Sequence, residues 1–79
     1  MNYVYILRSQ NDNKRYIGLT NNLKRRLEEH NSGRVKATRN RRPFVLEYYE
    51  EINDRSDAAK REKFLKTGKG REFLDKLNI

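Results

Sequence analysis

The chain has 79 residues, with 19 Lys plus Arg against 11 Asp plus Glu, a formal net charge of +8 and a pI near 10.1. That length suits one domain, residues 1–79, and is too short for two. The absence of cysteine excludes a disulfide framework and thiolate metal sites, and a single histidine argues against zinc. The longest apolar run, Tyr3 to Leu7, falls far short of the ~20 residues that span a bilayer, and no basic-then-apolar leader opens the chain. The expected setting is therefore soluble, unexported and cytoplasmic. A charge this large favours an extended anionic partner such as nucleic acid over a small neutral substrate. A membrane surface fits less well, because no segment joins a basic face to a broad apolar one.

Tyr3-Val4-Tyr5-Ile6-Leu7 is β-branched and aromatic, and the polar cluster Ser9 to Asn13 leads into Arg15-Tyr16-Ile17-Gly18-Leu19-Thr20, which together read as a β-hairpin. Alternation puts Val4 and Ile6 on one face of the first strand and Ile17 and Leu19 on one face of the second, so the aliphatic sides can coincide, with Tyr5 and Tyr16 then sharing the opposite face. Asn21 or Asn22 can cap a first helix carrying Leu23 and Leu27, which ends near Asn31-Ser32-Gly33. Arg34 to Arg42 is a basic loop closed by Pro43, and Phe44 to Tyr49 is a third strand. Asn53 to Asp57 offers a turn and cap, Ala58 to Lys66 a second helix, and Gly68-Lys69-Gly70 a break before a last helix with Phe73, Leu74 and Leu77. The class is α+β, with the order ββαβαα.

Several residues sit where a simple fold would not put them. Leu23, Arg26, Leu27 and His30 form one helical stripe, so Arg26 and His30 border the buried side. An arginine there must be paired or face a cleft, because an uncompensated buried charge costs several kcal/mol. Arginine snorkelling to the rim beside a partly exposed histidine is the equally weighted alternative. In the second helix Ala58, Glu62 and Leu65 share a face, which makes Glu62 the candidate metal ligand. An ion pair of Glu62 with Arg26 or Lys66 is the competing account, and spacing alone favours it. Gly18 interrupts a strand on the face of Tyr16, as glycines do where a ligand or another chain comes close. Arg34, Lys36, Arg39, Arg41 and Arg42 are expected to contact phosphate, with plain solvated charge as the alternative.

Val4-Tyr5-Ile6 stands where the GIY element of a known nuclease family sits, and Tyr16-Ile17-Gly18 reproduces its YIG element one hairpin later. The chain thus resembles the GIY-YIG endonuclease superfamily, also called the URI domain, over nearly its whole length. The likeness is nearest to small stand-alone proteins related to the excinuclease nuclease domain. Thr20 to Leu27 looks like the segment carrying the family arginine, here Arg26, and His30 falls at a position often histidine in homing endonucleases. Arg61 to Lys66 looks like the segment with the metal-binding glutamate, here Glu62. Two departures stand out. The glycine of GIY is missing before Tyr5, and Leu19 replaces the lysine that follows YIG in some members.

The resemblance implies a three-stranded antiparallel sheet packed with three helices, and metal-dependent hydrolysis of a nucleic-acid phosphodiester, DNA in preference to RNA, in DNA repair or processing. It implies Mg²⁺ or Mn²⁺ on Glu62, charge stabilisation by Arg26, and water activation by Tyr5 and Tyr16, with His30 orienting a tyrosine or taking the proton. Gly18 would let the sheet approach the scissile phosphate. The alternatives are a weakly active or inactive module that binds nucleic acid or a partner protein, and a scaffold in which Arg26 and Glu62 form a buried ion pair.

Overall fold

In the computed structural model, which describes residues 1–79, the first strand β1 (Asn2–Ser9) lies in the middle of the sheet. It pairs antiparallel with β2 (Arg15–Thr20) on one side and β3 (Phe44–Ile52) on the other, giving the order β2-β1-β3. Helices α1 (Leu23–Asn31), α2 (Arg55–Leu65) and α3 (Gly68–Lys76) complete the order ββαβαα. The α+β architecture is the expected one. Within the basic loop a single 3₁₀ turn, Arg39–Arg41, adds order that the run of charges conceals.

The hairpin register sets Val4 against Leu19 and Ile6 against Ile17, so four aliphatic side chains meet on one face. That face receives Ala58 and Leu65 of α2 and Leu74 of α3. The opposite face carries Tyr5, Leu7 and Phe44, packed with Tyr16 and with Leu23 and Leu27 of α1. Helices thus cover both sides of β1, and Val4 through Leu7 are all buried. A strand covered twice reads as a continuous apolar run, whereas alternation is the mark of a strand with one wet face.

Local caps settle where elements begin. Asn22 accepts from the Arg25 N–H at the start of α1. Asp54 accepts from Ser56 and Asp57, which starts α2 at Arg55, three residues before the expected Ala58. The break between the last two helices comes at Lys66 and Thr67, where Thr67 accepts from the Gly70 N–H, and the two glycines belong to α3 itself. Gly70 is required by close packing: a Cβ there would meet the Phe64 carbonyl oxygen and lie 2.5 Å from the Leu65 Cα. Buried Ser9 joins the hairpin turn to the basic segment, donating to the Arg41 carbonyl at 2.6 Å and accepting from the Asn11 and Asp12 amides at 3.1 Å.

Candidate active site

The α1 face of the sheet brings together four of the five residues the sequence nominates for chemistry. Gly18 stands directly opposite Tyr5 across the hairpin. A Cβ at Gly18 would collide with the Tyr5 hydroxyl and Cζ and come within 2.9 Å of Cε2. The glycine therefore seats the Tyr5 ring. The space directly above the missing Cβ is thus filled by Tyr5. The physical reason is register, because only the hairpin pairing shows which side chain leans over the missing Cβ.

His30 is 0% exposed and lies at the centre of this face. The rim-exposed histidine is thereby excluded. Its Nε2 lies 3.0 Å from the Tyr5 hydroxyl and its Nδ1 lies 2.8 Å from the hydroxyl of buried Thr38. The Thr38 hydroxyl in turn donates to the Val35 carbonyl at 3.4 Å. A carbonyl can only accept, so the donors run in one direction: Thr38 O–H to Val35, His30 Nδ1–H to Thr38, Tyr5 O–H to His30 Nε2. The Nε2 lone pair thus faces the Tyr5 proton. Tyr16, half-buried, packs its ring against His30 at 4.9 Å between centroids and against Tyr5 at 6.4 Å.

Burial pushes the Tyr5 phenol up from its ordinary range, and the Arg26 guanidinium beside it only partly opposes that shift. The phenol rests protonated, which suits its role as donor. Burial, helped by the positive charge of Arg26, pushes the His30 imidazole down to about 4, with Glu29 opposing. His30 is consequently neutral at pH 7. Arg26 itself pairs with Glu29 one turn along α1 at 3.0 Å, with its side chain 35% exposed.

Glu62 approaches the same cluster from α2, close enough for its charge to act on Tyr5. Its carboxylate pairs with Lys66 at 3.1 Å. The buried Arg26–Glu62 pair that a pure scaffold would require is absent, because each residue takes a partner on its own helix. Lys66 is a flexible, mostly exposed cation, so the carboxylate already attracts positive charge without being locked. No group of three or more His, Asp or Glu residues gathers in the structure. Such a donor set cannot form an all-protein cage, but it suits Mg²⁺ or Mn²⁺, which keep several waters and bind through one or two carboxylates and substrate phosphates.

The basic segment divides. Arg41 is half-buried and committed to structure: it pairs with Asp12 at 2.7 Å, donates to the Lys14 and Arg15 carbonyls, and lies 5.5 Å over the Phe44 ring. Arg39 donates to the Gly33 carbonyl and Arg42 to the Arg39 carbonyl. Arg34 and Lys36 are exposed. Thr38, which the charges around it hide, is the site residue that sequence reasoning missed; the only signal was a hydroxyl among cations on the segment after His30.

These features define a GIY-YIG domain, and the sequence profile of the GIY-YIG catalytic domain matches residues 1–78, so the chain belongs to that family. Within it the chain is similar to a group of small proteins designated UPF0213. It is 45% identical over 67 residues to the member from Clostridium perfringens, covering 84% of this chain and 71% of that protein. The Staphylococcus haemolyticus member is 44% identical over 66 residues, covering 82% and 79%. The solution NMR structure of the Bacillus halodurans member superposes with a TM-score of 0.59 at 36% identity, covering 98% of this chain and 85% of that one.

Proposed function

We propose that the protein is a metal-dependent endonuclease that hydrolyses nucleic-acid phosphodiester bonds, with DNA as the first substrate to test and DNA repair or processing as its setting. The observation that carries this reading is the row of contacts from Tyr5 through buried His30 to Thr38, set beside Arg26 and Glu62. A structural tyrosine needs no neutral imidazole lone pair aimed at its proton. A tyrosine that relays a proton from an attacking water does.

Tyr5 takes the proton of the attacking water as its own passes to His30 Nε2, so the phenol stays neutral, and the buried imidazole, which holds a proton weakly, gives it up again to the leaving oxygen or to solvent. Thr38 holds the imidazole in the tautomer this requires and receives Nδ1–H. Tyr16, packed on His30 and more exposed than Tyr5, positions water and phosphate at the mouth of the site. Arg26 offers its planar guanidinium to the charge that develops on the phosphoryl oxygens. Glu62 would hold Mg²⁺ or Mn²⁺, which when bound supplies charge neutralisation at the phosphate and leaving oxygen.

The test is incubation of the protein with labelled single-stranded, duplex and branched DNA and with RNA, at low salt, in Mg²⁺, Mn²⁺ or EDTA, beside Glu62→Ala. Cleavage that requires metal and Glu62, with binding retained in the variant, is the expected result. Binding with no cleavage under any condition would replace this reading with a non-catalytic or partner-activated module.

A further inference from the structure

A second cationic surface lies outside the basic segment. A cleft of about 580 Å³ runs along the outer edge of β2, where the end of the hairpin faces the α2–α3 corner. Arg8, Lys14, Arg15, Lys66 and Arg71 line it, and no carboxylate does. Tyr16, whose ring packs on His30, is also among the lining residues, so the cleft adjoins the strand that carries part of the candidate active site.

From this geometry we propose that the cleft is a phosphate-binding subsite that holds the nucleic-acid backbone on one side of the scissile bond. The proposal rests on the nuclease reading above and extends it to the path of the strand. Its cations fall into two kinds. Arg15 is pinned by Asp75 and the Ile79 carbonyl, and Arg8 by Glu47 at 3.1 Å, so these two form fixed walls with charge already balanced. Lys14 and Arg71 are exposed and make no side-chain ion pair, which leaves them free to meet an anion. Lys66 reaches the same cleft while paired with Glu62, which links the subsite to the proposed metal ligand.

The contrast with the basic segment favours this path. There Arg39, Arg41 and Arg42 are engaged with backbone carbonyls or Asp12 and only Arg34 and Lys36 stay free, whereas the cleft sets its free cations in a concave wall that includes a residue of the reactive cluster. Phosphodiester oxygens need such placed donors, and each contact displaces a condensed counterion from the nucleic acid.

The experiment measures binding of a fluorescent duplex DNA in EDTA, where turnover is silent, across a range of salt concentrations. Variants are Lys14→Ala/Arg71→Ala, the charge-keeping Lys14→Arg/Arg71→Lys, and a charge-matched control, Lys24→Ala/Lys60→Ala. The cleft variant is expected to bind about ten- to fiftyfold more weakly at 0.1 M salt and to lower the slope of log K against log salt by about two. The charge-keeping variant should restore both, and the control should leave the slope unchanged. Equal losses in cleft variant and control would overturn the subsite, because net charge alone would then explain binding. Wild-type binding that the cleft variant leaves intact would refute the subsite and spare the nuclease reading. No binding by the wild type to any nucleic acid would overturn both.

Discussion

His30 should make the stability of the fold depend on pH in a window where nothing else with a shifted range titrates. Its imidazole is held at about 4 in the folded protein, against 6.5 for an unperturbed histidine. As pH falls below 6.5 the unfolded chain takes up this proton first, so the contribution is fully present above 6.5 and is lost as pH drops toward 4. Integrating between pH 7 and pH 5 gives a loss of about 2 kcal/mol, a large share of the on the order of 4–12 kcal/mol expected for a domain of this size. Glu29 and Glu50 are held below the usual carboxylate range by Arg26 and Arg61, and Asp12 by Arg41 to about 2, so their contributions persist through this window and fade only at lower pH. Urea unfolding at pH 7, 6 and 5 should show the loss in the wild type and a flat profile in His30→Gln, which keeps polar atoms in place but cannot titrate there. An NMR titration of the imidazole reads the same quantity directly. A folded-state midpoint near 6.5, or wild-type stability unchanged from pH 7 to pH 5, would refute the argument.

Gly18→Ala should cost about 1–3 kcal/mol through overpacking against the Tyr5 ring, and should reduce turnover further by dragging the hydroxyl away from His30. A variant with the wild-type melting temperature would show that the ring has room to move. Gly70→Ala meets backbone rather than a side chain, so it should cost as much or more, with amide exchange rising first across Gly68–Lys76 and the α2–α3 corner. Unchanged protection there would contradict the close approach of the two helices.

Much of this molecule can be read without coordinates. The hairpin, the aliphatic faces of Val4 with Ile6 and of Ile17 with Leu19, the first helix with its asparagine cap, and the order ββαβαα all follow from alternation, turn chemistry and helical spacing. Those signals are local, and local signals survive in a single chain. Arg26, His30 and Glu62 also stand out, because a polar residue on an apolar stripe conflicts with the pattern around it. The boundary at Gly68 is harder to read for a related reason: glycine ordinarily breaks helices, and only the proximity of Leu65 explains why Gly70 belongs inside one.

Only the tertiary structure decided how these residues are wired. That the Tyr5 ring leans over Gly18 follows only from the pairing of the two strands. Thr38 is one hydroxyl in a run of cations until the chain after α1 folds back and sets it 2.8 Å from His30. Periodicity cannot choose between Arg26 and Lys66 as the partner of Glu62, since it does not report how far apart residues on different helices lie; the structure gives Lys66. The cleft beside β2 gathers residues from both strands of the hairpin and from the α2–α3 corner, at opposite ends of the chain. Periodicity reports which face of its own element a residue occupies, whereas hydrogen bonds and clefts depend on the separation of atoms from different elements, which the packing of those elements sets.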